Sequence, residues 1–394
     1  MSSIPPRLPG SDKPPRLGRD GKPLTLRAAW HGMTGTLRML MLGWWALLLL
    51  PSFALFFVLT SQQRHNAEAA RERHLARMAS PGSCQSDPSR SPPSGREKDV
   101  ATVVTVGAYV DRVPEISIVT ASWKADFFVW FSWEGDLPDP GTTFKVVSGE
   151  ALSRTLMRKV DTGKQHYSLY KVTAQITKSF DVARFPLDEH VLTIQLEDQA
   201  LQSYQLCYAA DAKASSVSSR VNVPGYGIQG TEVATNLHSY KTSLGEPTVP
   251  SDYQGKYSSF LFGIHIKRPS WGMFFKMFSV LYIAVFVALM GLVLRGPNER
   301  LALAGTALFV AIGNAAGITP LIPYTGAITL ADVIGNIGYL FIGFIIVQSI
   351  LYHKYFADPE VRQEASYVFD VSSFAILASA FITLNVGVVL AARG

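Results

Sequence analysis

The sequence predicts a β-sandwich extracytoplasmic domain followed by a four-helix transmembrane bundle, with an additional N-terminal transmembrane helix. Three observations predict it. A polar, strand-patterned segment ends at Ile264-His265-Ile266-Lys267-Arg268-Pro269. Four apolar spans follow it almost without interruption, and a fifth lies near the start of the chain. Only 17% of the 394 residues are charged and 48% are hydrophobic, whereas soluble domains carry roughly 25% charged residues.

Residues 1–38 read as a disordered, Pro-rich leader in which Arg7, Lys13, Arg16, Arg19, Lys22, Arg27 and Arg38 precede the first apolar stretch. By the positive-inside rule they place the N-terminus in the cytoplasm. The net charge of +6 is therefore mostly a topology signal. A nucleic-acid surface would want basic residues interleaved with aromatics on a folded face, so no nucleic-acid partner is expected. Met39 to Gln63 reads as a transmembrane helix or signal anchor, with Pro51 inside it. Its competing reading is a cleaved signal peptide. Residues 64–99 read as a linker: Ala67 to Met78 is charged and suited to extending the helix, and Ser80 to Ser94 is rich in Ser and Pro and is expected to be unstructured. Cys84 lies in that linker and Cys207 in the following domain. An oxidising compartment permits them to pair, as a structural staple; whether they do stays open.

Residues 100–268 read as strands with turn signals between them. Phe127, Val129, Phe131 and Trp133 alternate with Phe128, Trp130 and Ser132, and Leu192, Ile194 and Leu196 alternate with Thr193, Gln195 and Glu197. Period two with one apolar face means strands packed on a core. Val103 to Val110, Tyr167 to Thr177, Gly230 to Tyr240 and Ser258 to Lys267 are further candidates. Sheets bury one face against another, so a sandwich follows.

Residues 269–394 hold the four spans, each tested against the roughly 20 helical residues a hydrocarbon core about 30 Å thick demands. Trp271 to Leu294 carries one charge, Lys276, near enough its start to snorkel. Leu301 to Leu330 is uncharged, and Pro320 and Pro323 end its helix near Thr319. Val333 to Tyr352 and Val371 to Ala392 complete the set. The turns with Arg295 and Arg300, and with His353, Lys354 and Arg362, fall on the cytoplasmic side; Pro320 to Ala331 has no basic residue and falls outside. Five spans in the cytoplasmic (inner) membrane result, with the strand domain and the C-terminus periplasmic or extracellular.

Several motifs together resemble the pentameric ligand-gated ion channels of the Cys-loop receptor superfamily. Phe180-Asp181-Val182-Ala183-Arg184-Phe185-Pro186-Leu187-Asp188-Glu189-His190-Val191-Leu192 looks like that family's Phe-Pro-Phe-Asp signature loop. Val104 to Trp133 with Glu134-Gly135-Asp136 resembles its first two strands and the Trp-x-Asp element that closes them, with one extra residue here. Lys267-Arg268-Pro269 entering the first span, Glu299-Arg300-Leu301 opening the second and the Pro320 to Pro323 loop leaving it match the family's layout. The half-cystines of animal receptors would fall at Lys178 and Leu192, so the chain resembles a prokaryotic-type member without the loop disulfide. The short segment from Tyr352 to Asp370 points the same way, and the N-terminal span is a departure.

The resemblance implies a homopentameric channel gated by a small molecule, an ion or a proton, passing inorganic ions across membrane lipid. Phe185, Pro186, Asp188 and Arg268 would then couple the strand domain to the membrane. The plain alternative is an ordinary tight turn with Arg268 as a headgroup anchor. Helical spacing from Glu299 selects Ala302, Thr306, Phe309, Gly313 and Gly317 as a pore-lining face. A ring of Glu299 carboxylates would favour cations, and Phe309 would form an apolar constriction. Gly313 and Gly317 also fit close helix packing in lipid. Tyr253 and Tyr257 are the candidate ligand contacts, aromatic faces being suited to cations; exposed loop tyrosines are their plain reading.

Rival functions have less in the sequence to rest on. His190, His238 and His265 lack metal-ligand spacing, and no nucleophile elbow, phosphate loop or Cys/His cluster occurs. No enzyme activity, metal or cofactor is therefore expected. A non-conducting membrane-anchored sensor is the main rival, and a transporter ranks third for want of evident internal repeats.

Overall fold

Strand-forming and span-forming segments of the chain build different units. The computed structural model describes residues 30, 33–78, 101–242, 254–269, 271–294, 296–324, 326–356 and 363–393. One unit holds residues 63–274, 318–331 and 392–394, and the other holds residues up to 62, 275–317 and 332–391.

Among the described residues the strand-rich unit carries ten strands: β1 (Thr102–Ser117), β2 (Ser122–Glu134), β3 (Phe144–Val146), β4 (Gly149–Asp161), β5 (Gln165–Thr177), β6 (Glu189–Asp198), β7 (Leu206–Ala210), β8 (Ser216–Val217), β9 (Gly227–Ser239) and β10 (Lys256–Lys267). One sheet runs β4-β5-β2-β1-β7 with β8 also on β1, and the other runs β3-β6-β10-β9. All the neighbours are antiparallel except β7 and β8, which run parallel to β1. Alternate residues of a strand face opposite sides, and the predicted stripe Phe127, Val129, Phe131 and Trp133 is buried. It shares one apolar cluster with Leu192, Ile194 and Leu196 of β6 and with Phe260, Phe262 and Ile264 of β10. The inner faces of both sheets thus contribute to a single core.

Strand β4 has no counterpart among the sequence expectations. It is an edge strand with Leu152, Leu156 and Met157 exposed, so no buried stripe marks it. Its exposed Arg158 and Lys159 suit an edge that must not pair further.

Among the described residues, five helices are long and apolar enough to cross a membrane, which marks the chain as a multi-pass membrane protein. They are α1 (Gly35–Met78), α3 (Gly272–Gly291), α4 (Pro297–Ile318), α5 (Leu330–Phe356) and α6 (Gln363–Arg393); α2 (Pro140–Thr143) is a single turn among the strands. Helix α1 corrects two boundaries. It begins inside the predicted leader and continues fifteen residues into the predicted linker, because Ala67 to Met78 is built, His74 apart, from Ala, Glu, Arg, Leu and Met, which favour helix whether or not they are apolar. The rest of the leader and linker, with Cys84, lies outside the described residues. Cys207 on β7 is buried and disulfide-bonded. Helix α4 opens on Pro297, suited to a first helical position, and passes at Thr319–Leu321 into a 3-10 turn at Pro320. Helix α6 starts eight residues before the predicted span, since Gln363 to Asp370 is helical without being apolar.

In the helical unit α1 lies along α6. The Trp44 and Trp45 indoles donate to Ser373 and Ser372 at 3.1 and 3.0 Å. Further along, Gly387 leaves room for Phe56, whose ring occupies the space a Cβ would need there. Contacts climb both helices in the same sense, so α1 and α6 run parallel. Leu281 of α3 fits against Gly338 of α5 in the same way, and Phe341 of α5 meets Phe381 of α6 with ring centroids 5.4 Å apart.

Candidate functional site

In the strand-rich unit, the loop between β5 and β6 is the candidate coupling element. Its turns are closed by backbone bonds from Phe185 to Val182 at 2.9 Å and from Leu187 to Arg184 at 2.8 Å. Phe185 and Pro186 are buried and joined by a cis peptide. These turns deliver Asp188, whose side chain is only 1% exposed, to the end of β10.

Four side chains meet there. One Asp188 oxygen accepts from Arg268 Nε at 2.7 Å; the other lies 2.6 Å from His190 Nε2 and 2.7 Å from the Tyr226 hydroxyl. Arg268 Nη2 also donates to the Tyr226 hydroxyl at 2.9 Å, and its guanidinium lies over the Tyr226 ring at 4.4 Å and the Phe185 ring at 5.2 Å. Gly225, at φ +77°, makes the turn that presents Tyr226, and its missing side chain leaves Arg268 Nη1 only 3.5 Å from a Cβ position. Burial alone would raise the Asp188 carboxyl. The His190 hydrogen bond and the Arg268 charge outweigh it and hold the group well below the usual carboxylate range. Burial, then the Asp188 charge, pushes the Tyr226 phenol far above its ordinary value.

The same loop reaches the segment that follows α4. Leu330 N donates to Ala183 O at 2.9 Å, and Leu330 is fully buried. Phe185, Pro186, Asp188 and Arg268 are thus one neighbourhood. His190 and Tyr226 belong to it as well, although the sequence singled out neither as a partner of Asp188. Tyr226 lies in a turn with no pattern to mark it, and His190 stands in the sequence as one residue of the signature-like loop with no sign of its partner.

In the helical unit, α4 is two-faced. Glu299, Ala302, Thr306, Phe309, Gly313 and Gly317 are all exposed, Phe309 to 79%. Ala304, Ala307 and Ala311 on the other side are buried. A Cβ on Gly313 or Gly317 would meet nothing within 4 Å, so among the described residues no helix of this chain packs closely on them.

Glu299 and Arg300 part company at the start of α4. Glu299 is exposed. Arg300 is turned into the unit, where it grips both Asp370 oxygens at 2.7 Å and stacks 3.6 Å from the Tyr352 ring centroid. Gln348 adds a bond to Asp370 at 3.0 Å. Bidentate pairing of this kind fixes geometry as well as charge.

Of the candidate ligand residues, Tyr253 lies outside the described residues. Tyr257 is half-buried and meets Tyr240 edge-on with centroids 5.4 Å apart. Lys145 Nζ lies 4.9 Å and 5.7 Å from the ring centroids of Tyr240 and Tyr257. Behind them Glu197 is fully buried, 2.9 Å from His238 Nδ1, 3.0 Å from the Tyr240 hydroxyl and 2.7 Å from the Ser259 hydroxyl. Burial alone would lower the Lys145 ammonium, but its bond to Tyr240 and the Glu197 charge raise it. The arrangement is an aromatic corner backed by a fixed carboxylate, a chemistry that holds cationic groups.

A scan of the chain against protein-family models returned no match, and a comparison with curated proteins returned none either.

Proposed function

We propose that this chain is one subunit of a homopentameric, cation-preferring ion channel of the cytoplasmic membrane, opened by a ligand or proton acting on an extracytoplasmic β-sandwich and gated by α4 within a four-helix bundle. The exposed face of α4 carries the reading. A helix that packs Ala304, Ala307 and Ala311 inward and leaves Glu299, Ala302, Thr306, Phe309, Gly313 and Gly317 uncovered has a face open to copies of itself, to water or to lipid. Around a shared axis that face would line a pore, with Phe309 as its apolar constriction. Glu299 would stand at the mouth while the adjacent Arg300 charge is spent on Asp370, which supports cation preference.

Two further observations support the scheme. Asp188, Arg268 and the Leu330–Ala183 bond tie the β5–β6 loop to residues that immediately precede α3 and open α5. A stimulus that moves the strand domain would therefore act on segments continuous with the spans, and only a ligand with differential affinity for the moved state shifts the gate. Parallel α1 and α6 support a retained first span with the N-terminus on the cytoplasmic side, because both must then cross in the same direction.

The test is reconstitution. Cysteines at 302, 306, 309, 313 and 317 should react with water-borne thiol reagents at helical intervals, particles should show fivefold symmetry, and proteoliposomes should pass cations. A monomer in lipid with an unreactive α4 would sink the proposal and leave the non-conducting sensor.

A further inference from the structure

A cavity of about 780 Å³ opens between the outer half of α1, the β5–β6 loop and the end of β10, all within the strand-rich unit. Its volume lies in the range of small-molecule sites. Its charge is one-sided: seven guanidinium and ammonium groups line it against the three carboxylates of Glu68, Asp181 and Glu189. Two of those carboxylates are already engaged, Asp181 by Arg73 at 2.6 Å and Glu189 by Arg184 and Lys267 at 3.0 and 3.3 Å. Arg64 and Arg71 are exposed and form no ion pair among the described residues. They are the cations an incoming anion would meet.

The cavity adjoins three membrane spans by covalent continuity. Arg64 follows the apolar part of α1, Lys267 precedes α3 by a few residues, and Arg393 ends α6 with its guanidinium 4.3 Å from the Trp271 ring centroid. Basic residues at the outer end of a span run against the positive-inside rule. Calling that end the outer one rests on the orientation proposed above; the cavity and its charge do not. Guanidinium forks match phosphate oxygens bidentately, so a cavity with two arginines outside any ion pair where spans emerge has the chemistry of a headgroup site.

We propose that this cavity binds a phosphate-bearing anion, the chemistry of an anionic phospholipid headgroup, and that Arg64 and Arg71 on the additional N-terminal helix are its principal contacts. Full-length protein in phosphatidylcholine nanodiscs, with and without phosphatidylglycerol, provides the test, with retained lipid counted by native mass spectrometry and inorganic phosphate titrated separately. The parent should retain phosphatidylglycerol in preference to phosphatidylcholine. Arg64→Gln with Arg71→Gln should weaken that retention about fivefold per residue and about thirty-fold together, while Arg158→Gln on the exposed β4 edge leaves it unchanged. If inorganic phosphate binds with the same dependence on the two arginines and displaces the lipid, the site stands and its ligand is the soluble anion. Equal retention by parent and double variant, with no phosphate binding that depends on them, overturns the proposal. The outcome is independent of conduction, so it separates from any failure of the channel reading.

Discussion

Replacing Asp188 by Asn removes a charge while keeping the shape of the side chain. The new amide would still reach His190 and Tyr226, yet it would leave the Arg268 guanidinium, 10% exposed and held between two rings, without its carboxylate. Removing one partner of a buried pair costs about 3–5 kcal/mol. At about 2–4 °C per kcal/mol for a domain of this size, the melting temperature should fall by about 6–20 °C. The assay is thermal unfolding of the full-length protein in detergent, followed by tryptophan fluorescence. Asp188→Asn with Arg268→Met should cost less than the two single changes added together, since neither charge is then buried alone. The pH dependence has a definite sign. A carboxyl whose folded pKa lies below its ordinary value of 3.8 contributes stability that is fully present above that value and is lost as pH falls through the lower folded pKa. The gap between parent and variant should therefore stay constant from pH 7 to pH 5 and narrow only below about pH 4. A gap under about 1 kcal/mol, or one that closes between pH 7 and pH 5, would refute the reasoning.

The remaining predictions concern the helices. Arg300→Gln should destabilise the protein by about 3–5 kcal/mol by taking from Asp370 its bidentate cation, and adding Asp370→Asn should recover part of the loss in the same melting assay. Gly387→Leu should push against Phe56 and part α1 from α6, which would show as a lost crosslink between cysteines placed at Trp45 and Ser372. Phe309→Ala should give proteoliposomes a standing leak without stimulus, and Glu299→Gln should lower the cation-to-anion permeability ratio read from reversal potentials. Unchanged currents in both variants of a conducting parent would remove α4 from the pore.

Legibility in the sequence followed how local the determining physics was. The stripe from Phe127 to Trp133 could be read directly, because strand geometry puts alternate residues on one face. Spans were legible because a bilayer sets a length that a run of apolar residues either meets or misses. Where a helix continues past its apolar part, as α1 does to Met78 and α6 does back to Gln363, hydropathy understates it, since propensity does not require burial. Edge strand β4 was silent for the opposite reason: it buries no stripe.

Charges were the harder case. The sequence placed Asp188 in a turn and Arg268 at a strand end, but their 2.7 Å pairing spans 80 residues and depends on where two distant segments meet. Glu299 and Arg300, adjacent in the chain, pointed to no single sign of charge at the start of α4. Burial of Arg300 against Asp370, 70 residues away, separates them. Glu197 occupies a position that alternation assigns to the polar face of β6, yet it is fully buried because His238 and Tyr240 at the end of β9 and Ser259 of β10 close over it. Periodicity and length belong to a segment and can be read along it; which ionised groups neutralise one another depends on contacts between segments, and those exist only once the chain has folded.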